Sequence, residues 1–182
     1  NHFHLLRRQL KRDFRKPLVI FTPKMLLRHP MATSKMEALA EGGFQEVLDD
    51  VNIQSKYIDT VVLCTGKFYY EMKIKAEELG VKNMVFIRIE QLYPWPQKQV
   101  DQILSKYKAK NIIWAQEEPE NMGAWQYIAM QNRKMPIIGV SRPASAASAE
   151  GSKKLHEKRL EKLFKELFSF AKTKVHQKNN KK

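Results

Sequence analysis

Three absences limit what this sequence can encode. It contains one cysteine, Cys64, so no internal disulfide can form and no metal site made of several cysteines exists. No apolar run reaches the roughly 18 residues that a membrane-spanning helix needs. The opening stretch, NHFHLLRRQLKRDFRK, lacks the uninterrupted apolar segment of a secretory signal, and it begins with Asn1. We therefore expect a segment of a longer protein, with no membrane partner.

The charge of the chain is concentrated at its two ends. The 182 residues carry 33 Lys/Arg against 19 Asp/Glu, a net charge of +14. Residues 1–29 contribute +7 and residues 151–182 contribute +8, whereas residues 30–150 are close to neutral. No nucleic-acid-binding motif accompanies the basic ends, so we expect no specific nucleic-acid partner. A solvated tail or a surface that faces a protein partner accounts for the charge equally well.

Short apolar runs alternate with amphipathic segments, a pattern typical of the α/β class. The apolar runs predict strands at residues 18–21, 60–65, 84–89, 111–116 and 136–140, and FQEVLDD (44–50) could add a short one. Helices are predicted at residues 3–10, 67–79 and 97–107, from near 121 or 123 to 132, and from 152 to 171. Since the strands show little polar alternation, we expect a largely parallel sheet with helices on both faces.

The loops after the carboxyl ends of parallel strands are where ligands usually bind. Thr65-Gly66-Lys67 could hold a phosphate through helix amides and the lysine. A glycine turn with a solvated lysine is favoured, because the full glycine-rich phosphate loop is absent. Cys64 ends a buried strand without a base nearby in sequence, which favours a core residue over a nucleophile. No histidine has an evident metal partner, so neither a metal site nor a catalytic residue is predicted.

The stretch AQEEPENMGAWQY, residues 115–127, places two adjacent glutamates before a predicted helix. Adjacent strand residues point to opposite faces, so Glu117 and Glu118 cannot easily share one substrate atom as an acid–base pair must. A carboxylate near a helix start is favoured by the free amides and the helix dipole. Asn121 suits the N-cap position, and Gly123 permits a tight turn. The sequence therefore favours an organising role for this loop over a catalytic one.

Five motifs, taken in order, resemble those of a known family. They are RKPLVIFTPKMLLRHP, VVLCTGKFYYE, FIRIEQLYPWP, WAQEEPENMGAW and SRPASAAS. From about residue 3 to 167 the chain resembles the C-terminal domain of 2-oxoglutarate dehydrogenase, which shares the transketolase C-terminal fold. The resemblance implies a three-layer α/β/α sandwich with a mostly parallel sheet of about five strands. It also implies three parts: a helix from the preceding central domain (1–16), the transketolase C-terminal-like domain (17–175) and a disordered basic tail (176–182).

The resemblance also implies the activity of a parent enzyme. That parent is a homodimer that decarboxylates 2-oxoglutarate on thiamine diphosphate and Mg²⁺, in the tricarboxylic acid cycle. It passes the succinyl group to the lipoyl group of the dihydrolipoyl succinyltransferase component, in the bacterial cytoplasm or the mitochondrial matrix. The groups that hold the cofactor lie in other domains of the family, so we expect this segment alone to bind no cofactor and to be inactive. A structural and regulatory domain is thus predicted. The alternative is an autonomous basic module that binds nucleic acid or an acidic protein surface.

Some members of the family bind an acyl-coenzyme A or adenine nucleotide effector on this domain. The resemblance therefore implies an acetyl-CoA or AMP site, and four residues near predicted strand ends are candidates for it: Thr22, Arg28, Lys67 and Arg142. The alternative is that these cations form salt bridges with Glu90, Glu117 or Glu118. The loop residues Glu117, Glu118, Asn121, Gly123 and Trp125 are predicted at the face that meets other domains or the second subunit, with the tryptophan as an anchor.

Overall fold

The computed structural model describes residues 1–50 and 57–171. The chain divides into two compact units, the first from Asn1 to Glu46 and the second beginning at Val47. The predicted tail at 176–182 lies outside the described residues. The predicted domain boundary between residues 16 and 17 stays a prediction.

The first unit consists of short helical segments. They are α1 (His2–Leu10), two 3₁₀ turns (Lys24–Arg28 and Pro30–Ala32) and α2 (Glu37–Ala40). The opening helix is thereby confirmed. The buried side chain of His4 has its Nε2 atom 2.7 Å from the carbonyl oxygen of Ala38, which ties α1 to α2. The amide of Asn1 donates to the carbonyl of Gln45 (2.8 Å) and accepts from its backbone N–H (3.0 Å), which joins the two ends of the unit.

The strand predicted at residues 18–21 is wrong. This stretch forms neither a helix nor a strand, and it pairs with no strand within the described residues. Val19 is 72% exposed and Phe21 is 94% exposed, so the apolar run is not buried within its unit. A run of apolar residues becomes a strand only when a neighbouring backbone satisfies its N–H and C=O groups, and the first unit contains no sheet. The weaker expectation at residues 44–50 holds instead, because a two-residue strand forms there.

The second unit is built on a five-stranded sheet, which confirms the predicted fold class. The strands are β1 (Val47–Leu48), β2 (Thr60–Cys64), β3 (Met84–Ile89), β4 (Asn111–Pro119) and β5 (Ile137–Arg142). The helices are α3 (Phe68–Glu78), α4 (Gln97–Tyr107), α5 (Trp125–Gln131) and α6 (Lys153–Phe168). The spatial order is β1-β3-β2-β4-β5. All neighbours are parallel except the edge pair of β1 and β3.

Alternate residues of the central strands feed two separate cores, and this produces three layers. On one face, Val62 and Cys64 of β2 pack in a cluster with residues of α3 and α6. On the other face, Val61 and Leu63 pack in a cluster with residues of α4 and α5. All five residues of β2 are buried, as expected for a strand covered on both sides.

Two element boundaries near the paired glutamates differ from the sequence prediction. Strand β4 continues to Pro119 instead of ending at residue 116, after a register shift between Ala115 and Pro119 where it pairs with β5. Helix α5 begins at Trp125, later than the predicted start at Asn121 or Gly123. The extra strand residues carry the carboxyl end of β4 further along β5.

Candidate functional site

The carboxyl ends of the parallel strands bring several polar side chains together in the second unit. Glu117 lies at the centre of this arrangement. One of its carboxylate oxygens is 2.5 Å from Nζ of Lys67, which stands at the start of α3. The other is 3.8 Å from Nδ1 of His156 on α6. The side chain of Glu117 therefore lies between α3 and α6, at the end of β4.

Lys67 is held by two carboxylates. Its Nζ atom also donates to Glu71, one turn further along α3, at 2.8 Å. Burial lowers the pKa of this lysine, but the hydrogen bonds to Glu117 and Glu71 outweigh it, so the pKa is raised above 10.5. The predicted alternative of a salt bridge thus describes Lys67 in this structure. An incoming phosphate would have to compete with the two carboxylates.

Arg142 ends β5 with its side chain buried. Its Nη1 atom lies 2.8 Å from the carboxylate of Glu150, and its Nη2 donates to the carbonyl of Ser148 at 3.0 Å. Its Nε donates to the backbone carbonyl of Glu117. Glu150 also pairs with Arg159 of α6. These contacts connect the loop between β5 and α6 to β4, and loss of one partner would leave a costly uncompensated buried charge.

The predicted effector residues fall in both units. Lys67 and Arg142 are brought together in the second unit, where both contact Glu117, through its side chain and its carbonyl respectively. Thr22 and Arg28 lie in the first unit, exposed, just before and at the end of the first 3₁₀ turn. The effector site stays a prediction.

Gln116 organises the turn between β4 and α5, and sequence reasoning missed this role. Its buried side-chain oxygen accepts hydrogen bonds from the indole N–H of Trp114 (2.9 Å) and from the backbone N–H groups of Ala124 (3.1 Å) and Trp125 (2.9 Å). Its NH₂ group donates to the carbonyls of Pro119 (3.0 Å) and Met122 (2.7 Å). One amide therefore satisfies the free N–H groups at the start of α5 and closes the turn before it.

Asn121 stabilises a different contact from the predicted N-cap. Its side chain donates to the carbonyl of Ser145 at 3.0 Å and accepts from the N–H of the same residue at 3.1 Å. This pair fastens the turn after β4 to the loop after β5. Gly123 has a φ of +65°, and an added Cβ would lie 3.0 Å from the amide of Gln116, so the prediction of a tight glycine turn agrees with the geometry.

Trp125 packs within its own unit. Its half-buried ring lies over Gly139 of β5, where an added Cβ would come within 2.5 Å of the indole. Because Gly139 has no side chain, the ring of Trp125 can occupy this space. The prediction that Trp125 anchors an interface with another domain or subunit is not tested by this contact.

Glu118 has different partners from Glu117. It lies at a cavity of about 390 Å³ that Tyr93, Trp114 and Tyr127 also line, and it borders a second cavity together with Glu117, Arg142 and His156. Within the described part of the chain, no hydrogen bond or ion pair engages its carboxylate, in contrast to that of Glu117.

Residues 1–50 and 57–171 contain neither a metal-binding cluster nor a membrane-spanning helix. No group of three or more His, Cys, Asp or Glu side chains is close enough to hold a metal ion. No helix in these ranges has the length and apolar character needed to cross a membrane. The thiol of Cys64 is buried beside the carbonyl of Ile87 at 3.5 Å, and this burial raises its pKa. These contacts fit its predicted role as a core residue.

The fold defines the class of protein. It is an α/β domain whose charged and polar groups lie together at the carboxyl edge of the sheet. Comparison with known proteins then gives the family. Residues 33–168 match the family described as 2-oxoglutarate dehydrogenase C-terminal. The chain belongs to this family, which confirms the resemblance seen in the sequence.

Three curated relatives show the extent of the similarity. The 2-oxoglutarate dehydrogenase E1 component of Rickettsia prowazekii (strain Madrid E) is 45% identical over 177 residues, which are 90% of this chain and 18% of that protein. The 2-oxoadipate dehydrogenase complex component E1 of Xenopus laevis is 44% identical over 169 residues, 89% of this chain and 18% of that protein. The 2-oxoglutarate dehydrogenase E1 component of Azotobacter vinelandii is 40% identical over 177 residues, 92% and 19%. The chain thus spans about a fifth of the length of these relatives.

Proposed function

We propose that this chain is the C-terminal structural and regulatory domain of a 2-oxoglutarate dehydrogenase E1 component. The observation that carries the proposal is the family match over residues 33–168, together with 40–45% identity to E1 components over about nine tenths of the chain. The relatives include components named for 2-oxoadipate as well as for 2-oxoglutarate. We favour 2-oxoglutarate because the RIEQLYP and QEEPENMGAW strings resemble that branch.

The whole protein, on this proposal, is an oxidoreductase that decarboxylates 2-oxoglutarate with thiamine diphosphate and Mg²⁺. It acts as a homodimer and passes the succinyl group to the lipoyl group of the dihydrolipoyl succinyltransferase component. Its relatives come from bacteria and from animals, which supports the bacterial cytoplasm or the mitochondrial matrix as its location. The residues that hold the cofactor are assigned to the other domains.

The role of the present domain follows from its own contacts. Glu117 is engaged by Lys67 and His156, which favours a structural role for its carboxylate over proton transfer to a substrate. The same contacts join β4 to α3 and α6, and the buried Arg142 joins β5 to the following loop. These residues support the shape of the sheet edge. They do not perform the chemical step.

A first experiment tests the assignment of the chemistry to other domains. The 182-residue chain is purified and assayed for 2-oxoglutarate decarboxylation with ferricyanide as electron acceptor, with thiamine diphosphate and Mg²⁺ added. We expect a folded chain with no turnover above a protein-free blank, while the full-length protein turns over. Turnover by the chain alone would show that the catalytic groups had been assigned to the wrong domains.

A second experiment tests the structural role in the full-length protein. Glu118→Gln should alter assembly or stability more than the chemical step, because this loop is predicted at the face that meets the other domains or the second subunit. The dimer is followed by sedimentation and the chemical step by single-turnover decarboxylation. A stable dimer that loses about a hundredfold in single-turnover rate, roughly 2.7 kcal/mol of barrier, would contradict the assignment.

We further propose that the sheet edge of the second unit binds an acetyl-CoA or AMP effector through Lys67 and Arg142, whereas Thr22 and Arg28, which lie in the first unit, stay predictions. Arginine offers a fork and lysine a point charge for phosphate oxygens, and the free amides at the start of α3 add partial positive charge. Calorimetry with acetyl-CoA and with AMP should show binding to the chain that weakens in Lys67→Ala and Arg142→Ala. Lys82→Ala removes an exposed lysine and serves as the control. Absence of heat at millimolar ligand, or unchanged affinity in both variants, would reject the site.

A further inference from the structure

The cavity beside Glu118 has a composition that suits one class of ligand. It lies at the carboxyl ends of the strands, with Thr65 on one side and the turn before α5 on the other. Its volume of about 390 Å³ falls within the range of small-molecule sites, about 300–1,000 Å³. Three aromatic side chains line it, those of Tyr93, Trp114 and Tyr127. The rings of Tyr93 and Tyr127 lie 6.4 Å apart at an angle of 61°, so their faces are not parallel.

Glu118 is the one charged residue of this lining. The neighbouring Glu117 is engaged by Lys67 and His156. Glu118 also borders a second cavity, which Arg142 and His156 line. Within the described residues, the carboxylate of Glu118 has no hydrogen-bonding or ionic partner. The cavity of about 390 Å³ thus combines aromatic surface with an uncompensated negative charge.

We propose that this cavity binds an organic cation, a guanidinium or ammonium group carried on a short apolar stem. The faces of tyrosine rings attract such cations within about 6 Å of the ring centroid. Tyr93 is exposed and Tyr127 is half-buried, whereas Trp114 is fully buried beneath them and adds apolar surface only. The carboxylate supplies the counter-charge, and a charge-assisted hydrogen bond to it would be among the strongest available contacts. The apolar wall accommodates the stem, as it does for the aliphatic part of arginine and lysine side chains elsewhere.

Other ligand classes fit the lining less well. An anion would meet the charge of Glu118 without a compensating cation. A neutral apolar molecule would remove that carboxylate from water without pairing it, which is costly. A calcium or magnesium ion requires about six oxygen ligands, and the cavity presents a single carboxylate among aromatic and aliphatic groups.

The test uses a probe whose charge can be removed without changing its shape. Nα-acetyl-arginine N-methylamide is titrated into the 182-residue chain and followed by calorimetry and by the indole N–H signals of the tryptophans in NMR spectra. The citrulline analogue, which is nearly isosteric and uncharged, is the matched ligand control. A fragment of this size should bind with a dissociation constant of about 1 mM, and the citrulline analogue at least about fivefold more weakly.

Three variants locate the binding. Glu118→Gln and Tyr93→Leu should each weaken the arginine probe by about fivefold or more, because they remove the counter-charge and one aromatic face. Glu120→Gln removes an exposed carboxylate two residues away and should leave the affinity unchanged. Circular dichroism melting curves check that each variant is folded. Undetectable binding of the arginine probe, equal binding of the citrulline analogue, or undiminished binding to folded Glu118→Gln would each overturn the proposal.

A further measurement distinguishes the two sources of such a cation. If a second copy of this basic chain supplies it, self-association measured by sedimentation equilibrium should weaken in Glu118→Gln and in the presence of the arginine probe. If a free molecule supplies it, self-association should be the same in both proteins while the probe still binds the wild type. The result does not depend on the proposed dehydrogenase function, since neither arm measures turnover.

Discussion

The side-chain amide of Gln116 forms the hydrogen bonds that close the turn between β4 and α5. A glutamine at the end of a strand carries no signal of where its amide points. In the structure it satisfies three N–H groups and two carbonyls around one turn. Glu117 and Glu118 are charged, which makes them candidate site residues from the sequence alone. The neutral side chain of Gln116 forms the hydrogen bonds of the turn that follows them.

Replacing Gln116 by alanine should destabilise the chain strongly. The change leaves the indole N–H of Trp114, two helix N–H groups and two carbonyls without their partner, in a largely buried place. We expect the free energy of unfolding to fall by about 2–4 kcal/mol, measured by urea denaturation. Gln126→Ala, which truncates an exposed glutamine on α5, is the control and should change it by less than about 0.5 kcal/mol. Equal effects in the two variants would show that the hydrogen bonds of Gln116 add no more to the free energy of unfolding than an exposed glutamine does.

Gly139 should be intolerant of even one added carbon. The Cβ of an alanine there would lie 2.5 Å from the ring of Trp125, so the ring would have to move. We expect Gly139→Ala to cost about 1–3 kcal/mol of unfolding free energy, the range for overpacking. Gly151→Ala, where nothing lies within 4 Å of the added carbon, is the matched control.

A double-mutant cycle identifies the cause of that loss. In a Trp125→Leu background the clash is removed, so Gly139→Ala should cost much less than it does with the tryptophan present. Additive effects of the two substitutions would mean that the ring of Trp125 is not what excludes a side chain at Gly139.

At the scale of elements, the sequence predicted the regular alternation well and the isolated stretch poorly. Strands β2 and β3 were recognised because their long apolar runs are bounded by a glycine or a polar loop. The run at residues 18–21 has the same composition but no partner strand in its unit, and composition does not report partners. The start of α5 was placed too early because Asn121 looks like an N-cap. The cap is supplied by Gln116, which lies in the strand before it.

The link between β4 and α3 should be sensitive to high pH. In the folded chain the pKa of Lys67 is raised, since the hydrogen bonds to Glu117 and Glu71 outweigh the effect of burial. The stabilisation from this lysine is therefore complete below its unfolded pKa of 10.5 and is lost as pH rises through the higher folded pKa. We expect the stability difference between wild type and Lys67→Met, measured by urea denaturation, to shrink as pH rises above 10.5.

The control for this titration is Lys82→Met, which removes an exposed lysine of the same unit. Its stability difference from wild type should stay constant over the range in which the Lys67→Met difference shrinks. A Lys67→Met difference that is independent of pH, or that grows as pH rises, would show that the lysine is not stabilised by its carboxylates.

At the scale of the whole molecule, the fold and the family were predictable from the sequence. The hydrogen bonds and ion pairs of the site were not. Five motifs spread over the chain resemble those of the family, and the family match over residues 33–168 confirms the resemblance. The carboxylate that pairs with Arg142 is that of Glu150, in the loop after β5. The sequence had suggested Glu90, Glu117 or Glu118 instead. Which charges face each other depends on how loops cross the sheet edge, and spacing along the chain does not contain that information.

The two basic ends of the chain should bind polyanions weakly and without sequence preference. Residues 1–29 and 151–182 together carry a charge of +15, and residues 30–150 carry −1, which gives the net charge of +14. Such binding comes from the release of counterions, so its affinity should be about 10⁻⁴ to 10⁻⁶ M near physiological salt and should fall steeply as salt is added. We expect fluorescence anisotropy to show the same affinity for DNA duplexes of unrelated sequence.

Charge placement can be tested with two variants that each lose three positive charges. Changing Lys178, Lys181 and Lys182 to glutamine should weaken polyanion binding and reduce the slope of log affinity against log salt. Changing Lys98, Lys110 and Lys134, which lie in the neutral middle of the chain, should have a smaller effect because acids balance bases over residues 30–150 as a whole. Equal effects would mean that net charge matters and its position does not. Sequence-selective binding tighter than about 10⁻⁶ M at physiological salt would instead favour an autonomous nucleic-acid-binding module over the proposed dehydrogenase domain.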